Sequence, residues 1–291
     1  MGRYLQLAAA ALAAASLSGC ATGYRLTEGA KVDDGCRIDA SKRELRFTAK
    51  NRFVSFRPCS DEARIDGKIK LHLPRPVKYV DGEYLIDAPL LERIVDPLLS
   101  GRALPTKMIV IDAGHGGNHP GAVGAVYKEK DLNLAVAKLL KAELEKRGLE
   151  VVMTRDADKT LELRDRVKIA DATKARLFIS VHHNAAHSRQ ARGYSVYAPR
   201  NCSNFPGESL VLAADVQREL LKLPEVRDRG VNFADFRVLY SNMPAVLVEL
   251  GFISNPEEEL IIGAPSRQKI EAAAVAEGVA QYLRRAGKTR K

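Results

Sequence analysis

Residues 108–117, MIVIDAGHGG, join an uninterrupted apolar segment to a glycine-rich loop that carries one histidine. Met108–Ala113 is a continuous apolar run of the kind buried on both faces in a parallel sheet. His115 follows this run by two residues, and the glycines around it allow a sharp turn that exposes the imidazole at the carboxyl end of the strand. Ligands of open α/β sheets bind at that edge. The loop matches neither G-x-x-x-x-G-K-[ST] nor G-x-G-x-x-G, so its sequence does not favour phosphate binding.

Strands and helices alternate downstream of this loop. This pattern predicts an α/β fold with a mostly parallel central sheet flanked by helices, in a domain that spans residues 106–286. Apolar spacing predicts helices over residues 129–147, 161–173, 208–221 and 266–285. Short apolar runs predict further strands over residues 150–154, 177–181, 193–198 and 245–249.

A smaller α+β module is predicted upstream, over residues 36–100. Asp81-Gly82 between two short strands indicates a tight hairpin, and residues 89–99 have the apolar spacing of a helix. Other strand-like runs are residues 44–48, 53–57, 69–73 and 77–80. Residues 65–99 resemble the small N-terminal domain shared with copper amine oxidases. Residues 101–105, GRALP, form a plausible boundary, and the module itself carries no visible chemistry, so we expect a docking or spacer role.

The N-terminus has the pattern of an export signal. An apolar run at residues 5–17 is too short to span a membrane and fits a signal peptide. It ends in Leu17-Ser18-Gly19-Cys20, which resembles the bacterial lipobox, so we expect cleavage after residue 19 and lipidation of Cys20; the alternative is an ordinary secretory signal. Residues 20–35 then form a tether. The residue after Cys20 is Ala21, and not the Asp that retains some lipoproteins at the inner membrane. A periplasm-facing outer-membrane location is therefore preferred.

Three further cysteines and the charge are compatible with this location. Outside the cytoplasm a disulfide is permitted, and Cys36 with Cys59 is the more plausible pair, which leaves Cys202 free. The net charge is +10, but Lys and Arg are scattered and often lie beside Asp or Glu. Nucleic acid is therefore not the expected partner, and an anionic envelope surface or wall polymer is preferred.

Two more predicted strands end in residues that can bind metal or move protons. His182 and His183 follow the strand at residues 177–181, and alternation points them to opposite sides, so only one should be a ligand. Glu249 ends an apolar strand, where a carboxylate is costly unless it is paired or used. Glu129 begins a helix, and by itself it is explained by the helix dipole. His119 has no matching support and is expected at the surface.

Together these residues can form a catalytic zinc site. Two His and one Glu are a known ligand set that leaves an open position for water. Zinc would polarise a carbonyl and acidify that water, and the remaining carboxylate would move the proton to a leaving nitrogen.

Four blocks of the sequence resemble the zinc-dependent N-acetylmuramoyl-L-alanine amidases (amidase type 3). The likeness covers about residues 106–283, with the blocks in family order. The blocks are IVIDAGHGGNHPGAVG at 109–124 with KEKDL at 128–132, TRD at 154–156 with LRDRV at 163–167, SVHHNA at 180–185 and VELGFISN at 248–255.

The resemblance implies the role of each residue. It makes His115, Glu129 and His182 the zinc ligands, with one zinc ion, and Glu249 the catalytic acid/base. Asn184 and Arg164 also match family blocks, and a structural role is expected for them. The implied reaction is cleavage of the amide between N-acetylmuramic acid and L-alanine in peptidoglycan, as in wall remodelling, daughter-cell separation or lysis.

Regulation and rival functions remain open at this point. Some relatives carry a long insert whose helix plugs the zinc site, but the stretch between Asn184 and the helix at residue 208 is short here. We therefore expect no such self-inhibition, and a divisome or envelope regulator is not identifiable.

The rival functions are a zinc peptidase acting on the stem peptide and a non-catalytic wall-binding lipoprotein. Every implied metal and acid/base position is filled, which disfavours the latter.

Overall fold

The computed structural model describes residues 23–27, 31–33, 37–41, 43–49, 52–100, 107–173, 175–201 and 203–288. The chain divides into two compact units, residues 1–102 and 103–291, and the division falls inside the GRALP stretch. The signal peptide, Cys20, Cys36 and Cys202 lie outside the described residues, so the predictions about them stay predictions. Within the described ranges, every helix is too short or too polar to cross a bilayer.

The first unit is a small α+β module built on antiparallel strands. Strands β2 to β7 pair with their neighbours in chain order, and β1, β9 and β8 form a separate three-stranded sheet. Asp81 and Gly82 both have positive φ, which confirms the predicted hairpin. The strands are β1 (Gly23–Thr27), β2 (Lys31–Asp33), β3 (Arg37–Ala40), β4 (Leu45–Ala49), β5 (Arg52–Phe56), β6 (Glu62–Ile65), β7 (Ile69–His72), β8 (Lys78–Val80) and β9 (Glu83–Asp87).

A helical segment over residues 88–100, here α1, closes the first unit. It comprises α-helical Ala88–Leu90, a π-helical turn at Leu91–Val95 and α-helical Asp96–Ser100, which contacts β4 and β5. The tether predicted for residues 20–35 is wrong in part, because β1 and β2 lie within it. β1 pairs along the whole of β9 and buries Leu26, so its backbone groups are satisfied by a sheet edge rather than by water.

The second unit is an α/β domain with one six-stranded sheet in the order β11-β10-β12-β15-β13-β14. Every neighbouring pair is parallel except β13 with β15, which confirms the predicted mostly parallel α/β fold. The strands are β10 (Met108–Ala113), β11 (Glu150–Met153), β12 (Phe178–Asn184), β13 (Tyr194–Pro199), β14 (Asp228–Ala234) and β15 (Ala245–Phe252). The helices are α2 (Glu129–Glu145), α3 (Leu163–Ala172), α4 (Pro206–Leu220), α5 (Pro256–Gly263) and α6 (Pro265–Lys288), with a 3-10 turn at Arg237–Leu239.

The two faces of this sheet are covered by different helices. One, here the α2 face, packs against α2 and α4, and α6 packs against these two helices. The other, here the α3 face, carries Val110, Phe178 and Leu247 from three neighbouring strands, in one apolar cluster with Ala170 of α3 and Leu239 of the 3-10 turn. Because side chains alternate along a strand, Ser180 and His182 of β12 and Glu249 of β15 also belong to the α3 face.

β12 and β15 extend three residues further than the sequence predicts. His182 and Glu249 therefore lie inside paired strands, directly opposite each other, rather than at or just beyond the strand ends. Pairing continues because a bulge lets Asn184 pair with Phe252. β14 and α5 are not predicted from the sequence, because their short and partly polar segments carry little periodic signal.

Candidate metal and active site

His115 is held in the left-handed region by a loop whose backbone carbonyl groups are bound by buried cations. Its φ is +61°, and Gly116 and Gly117 also have positive φ. Arg166 donates to the carbonyl oxygens of Ala113 at 2.7 Å and His115 at 2.6 Å. These bonds fix the direction in which the loop presents the imidazole.

Arg166 is itself held by Asp112, the last β10 residue on the α3 face before the loop. Both side chains are buried and their ion pair measures 2.8 Å. Asp112 also accepts from the hydroxyls of Thr154 at 2.6 Å and Ser180 at 2.7 Å. Burial alone would raise the pKa of Asp112, but Arg166 and these hydrogen bonds hold it below the usual range. Asp112 is therefore a charged anchor for Arg166 at neutral pH.

Arg155 supports the same loop, and all the hydrogen bonds of its guanidinium to described residues go to backbone carbonyl oxygens. Its guanidinium donates to the carbonyl oxygens of Ala113, Gly114 and Lys130, each at 2.8 Å. The side chain is buried, at 1% exposure. Arg155 thus connects the His115 loop to the first turn of α2.

Glu129, the first residue of α2, joins the two histidines. Its Oε1 lies 3.2 Å from His115 Nε2 and 2.9 Å from His182 Nδ1. Its Oε2 accepts from the backbone N–H of Ala122 at 2.9 Å. Burial would raise the pKa of Glu129, but hydrogen bonds and charge interactions with the two histidines lower it well below its usual value. The carboxylate is therefore ionised and available as a ligand.

Two glycines leave the space that this arrangement needs. A Cβ atom at Gly114 would lie 2.3 Å from the His182 imidazole, and one at Gly121 would lie 2.4 Å from Glu129 Oε2. Gly121 also has a φ of +70°, which disfavours any side chain there. Only glycine at these positions allows His182 and Glu129 to approach the His115 loop.

The chemistry of the three side chains fits a divalent metal ion. One ligand atom each from His115, Glu129 and His182 can be chosen so that all three lie within 4.8 Å of one another. Imidazole nitrogen with carboxylate oxygen is a donor set that zinc accepts. The His115 side chain is one-third exposed, so the cluster is accessible from solvent.

Glu249 lies next to this cluster but outside it. It pairs directly with His182 across β12 and β15, on the same face of the sheet. Its Oε2 is buried and has no hydrogen-bond partner among the described residues. Burial, together with the charge of Glu129, raises the pKa of Glu249 well above its usual value. A carboxyl group in this state can hold a proton and deliver it nearby.

His183 points away from the cluster into the α2 face. Its Nδ1 lies 2.8 Å from Asn133 Oδ1, while Asn133 Nδ2 donates to Gly114 O and Glu129 Oε1. Because Asn133 presents its oxygen, His183 Nδ1 carries the proton, and Nε2 is buried with no hydrogen-bond partner in the part of the chain that the structure describes. Burial lowers the pKa of His183 to about 4. His183 is therefore a neutral core residue that orients Asn133.

Two consecutive residues of α5, Glu258 and Glu259, hold backbone segments on both sides of the cluster. Glu258 accepts from the N–H groups of Gly193 at 2.9 Å and Phe252 at 2.7 Å. Glu259 accepts from three successive N–H groups, those of residues 125, 126 and 127, at 2.7–3.0 Å. Asn255 caps the helix by accepting from two of its N–H groups. Glu259 thereby positions the loop that leads into Glu129.

The remaining residues singled out by the sequence lie around the cluster. Asn184 is half-buried, and its side chain accepts from the N–H of Ala185 at 2.8 Å. Arg164 is exposed, and the structural role expected for it stays a prediction; Arg166, one half-turn along α3, is the arginine that contacts the His115 loop. His119 is exposed, as expected. Cys59 is exposed and forms no disulfide with any described residue; because Cys36 lies outside the described residues, their pairing stays a prediction.

Comparison with known proteins identifies the same region of the chain. The family model described as N-acetylmuramoyl-L-alanine amidase matches residues 109–281, more than half of the chain. The uncharacterised protein YqiI of Bacillus subtilis is 42% identical over 178 residues, 60% of this chain and 84% of that protein. The N-acetylmuramoyl-L-alanine amidase AmiA of Escherichia coli is 33% identical, over 61% of this chain and 76% of that enzyme.

A solved structure agrees with this match. The catalytic domain of CwlV, an N-acetylmuramoyl-L-alanine amidase from Bacillus (Paenibacillus) polymyxa, is 37% identical and superposes with a TM-score of 0.57. The match covers 62% of this chain and 99% of that domain. His115, Glu129, His182 and Glu249 all lie within the matched residues. The chain therefore belongs to the N-acetylmuramoyl-L-alanine amidase family.

Proposed function

We propose that this protein is a zinc-dependent amidase that cleaves the bond between N-acetylmuramic acid and L-alanine in peptidoglycan. The observation that carries the proposal is the cluster of His115, Glu129 and His182 with Glu249 directly opposite His182. When bound there, zinc would act as a Lewis acid on the amide carbonyl and would acidify water. The family match supports the substrate, and the donor set supports the metal.

Glu249 supplies the proton transfers of the reaction. As a base it removes a proton from the attacking water, whose oxygen forms the new bond to the lactyl carbonyl carbon. As an acid it then gives that proton to the alanine nitrogen as the C–N bond breaks, which releases a carboxylate and a free amine. The buried Oε2 of Glu249 suits this exchange, because no described protein group forms a hydrogen bond with it.

The test is digestion of purified peptidoglycan by wild type and by Glu249→Gln, with zinc content measured for both. We expect the variant to keep its zinc and lose about 10²- to 10⁴-fold in activity. Glu150→Gln, at an exposed position on the opposite edge of the sheet, is the matched control and should behave as wild type. Full activity of a zinc-loaded Glu249→Gln would remove Glu249 from the mechanism.

Product analysis separates the amidase from its rival. An amidase frees intact stem peptides that begin with the amino group of L-alanine, whereas a peptidase shortens the stem peptides and leaves them on the glycan. Removal of metal by a chelator should abolish release, and zinc should restore it. Restoration by another divalent ion but not by zinc would contradict the proposed cofactor.

For the location we propose a lipid anchor on Cys20 that holds the enzyme at the periplasmic side of the outer membrane, where it remodels the wall. The Leu17-Ser18-Gly19-Cys20 pattern and the following Ala21 support this proposal. Cys20→Ser should move the protein from the membrane fraction to the soluble fraction. A protein that stayed in the membrane fraction after this change would contradict the anchor.

A further inference from the structure

A bulge in β15 places Phe252 on the same face of the sheet as Glu249. His182 and Asn184 are two residues apart on β12 and therefore share the α3 face. Their partners on β15, Glu249 and Phe252, are three residues apart. Gly251, with a φ of +88°, absorbs the extra residue. The Phe252 ring thus lies next to Glu249 along the edge where the metal cluster sits.

A second bulge, in β14, does the same for Arg229. Tyr194 pairs with Asp228 and Val196 pairs with Val231, so three residues of β14 span two of β13. The side chain of Asp228 accepts from Gln217 of α4, which lies on the α2 face. Arg229, the next residue, turns to the α3 face, where Ser195 stands directly opposite Glu249.

The Arg229 side chain crosses β13 to reach the active-site edge. Its guanidinium carbon lies 4.9 Å from the centre of the Phe252 ring, two strands away. The ring is nearly buried, at 3% exposure, while Arg229 itself is exposed. Burial and the charge of Glu249 raise the pKa of Tyr197, and the charge of Arg229 opposes this, which is consistent with all three sharing one face.

The cation of Arg229 forms no ion pair within the described ranges. Among these residues its side chain packs on the Phe252 ring, and no carboxylate lies within ion-pair distance of it. Stacking on a ring leaves the N–H groups of a guanidinium free to bind a planar anion with two parallel hydrogen bonds. The chain therefore presents an oriented, unpaired anion-binding group at the edge that carries Glu249.

We propose that Arg229 binds a carboxylate of the peptide attached to the muramoyl group, and so makes the enzyme selective for acidic stem peptides. The proposal rests on the proposed amidase function. Arg229 is a specificity residue in this scheme, because it contacts a part of the substrate that does not react. Its interaction is the same in the bound substrate and in the transition state, so its loss should raise KM and leave kcat nearly unchanged.

The experiment compares two soluble substrates that differ in one group. These are N-acetylmuramoyl-L-alanyl-D-glutamate and the corresponding D-isoglutamine compound. In the second compound, a carboxamide replaces the α-carboxylate of the residue that follows alanine. Wild-type enzyme should prefer the carboxylate by about 10- to 100-fold in kcat/KM, the range expected for a charge-assisted hydrogen bond. Arg229→Gln should lower this preference to about 2-fold or less, mainly through KM of the carboxylate compound.

Arg176→Gln is the matched control, because Arg176 is also exposed but lies two residues before β12, on the opposite edge of the sheet. It should keep the wild-type preference, which excludes an effect of net charge. An unchanged preference in Arg229→Gln, or a wild type that cleaves both compounds equally well, would overturn the assignment of Arg229. Failure of the wild type to cleave either compound, or wall peptidoglycan, would overturn the amidase function and the Arg229 proposal with it.

Discussion

Replacing Arg166 by Met tests whether the buried Asp112–Arg166 pair holds the His115 loop. The guanidinium forms hydrogen bonds to Asp112 Oδ1, Ala113 O, His115 O and Leu161 O, at 2.6–3.2 Å, and is 2% exposed. Met fills similar space but removes all four bonds and leaves the Asp112 carboxylate buried with two hydroxyl donors. Breaking one partner of a buried ion pair costs about 3–5 kcal/mol.

Such a loss is a large part of the stability of an ordinary domain, which is about 5–15 kcal/mol. We expect Arg166→Met to lower Tm by about 10 °C, since each kcal/mol shifts Tm by about 2–4 °C in a domain of this size. Because the carbonyl of His115 loses its donor, zinc affinity should also fall, by about 10- to 100-fold as for other groups that orient metal ligands.

Urea unfolding and competition with a zinc chelator measure the two effects on the full chain. Arg164→Met, an exposed arginine on the same helix, should stay within about 0.5 kcal/mol of wild type and keep its zinc affinity. The double variant Asp112→Asn with Arg166→Met should be more stable than Arg166→Met alone, because it no longer buries an unpaired charge. Stability of Arg166→Met within about 1 kcal/mol of wild type would refute the reasoning, as would unchanged zinc affinity.

Two further predictions concern the space and the protonation of the cluster. Gly114→Ala should lose zinc, since its Cβ would overlap the His182 imidazole at 2.3 Å, and zinc content of the purified protein checks this. The control is Gly148→Ala, which meets open space at the end of α2; its φ of +76° strains the backbone only there, so this variant should keep zinc. His183 has a folded-state pKa of about 4 against an ordinary 6.5, so the folded state binds fewer protons between these values and stability is lost as the pH falls through them. The loss is about 3 kcal/mol in total. The experiment measures the unfolding free energy of metal-free wild type and of metal-free His183→Leu at several pH values. The wild-type value minus the variant value should fall by this amount from pH 7 to below pH 4. A difference that does not depend on pH would contradict a neutral buried His183.

The strands and glycines around the cluster could be predicted from sequence because their signals are local. Met108–Ala113 is apolar apart from Asp112, and His115 follows it within a glycine-rich turn, so both the strand and the exposed imidazole follow from a few adjacent residues. The assignment of Glu129 as a ligand came from the family resemblance, since its position at a helix start is explained equally well by the dipole. Its contact with both histidines is a tertiary feature.

The supporting residues could not be predicted because their roles depend on three-dimensional packing. Arg164 and Arg166 occupy one short motif, and only the helix phase, with Arg166 and Ala170 on the buried side, decides which faces Asp112. Arginines are usually exposed, so neither was assigned to the core. The bulge at Gly251 changes the face that the next residue, Phe252, occupies, and the bulge at Gly230 does the same for the preceding residue, Arg229. Strand alternation alone assigns Phe252 to the wrong face of the sheet.

Helix α5 makes the two halves of the active site part of one cooperative unit. Glu259 holds the three N–H groups before Glu129, and Glu258 holds Phe252, three residues beyond Glu249. Local opening of this eight-residue helix would release the metal-ligand loop and the acid/base strand together. Such an opening would therefore perturb Glu129 and Glu249 at the same time, while the His115 loop would keep its own hydrogen bonds to Arg155 and Arg166.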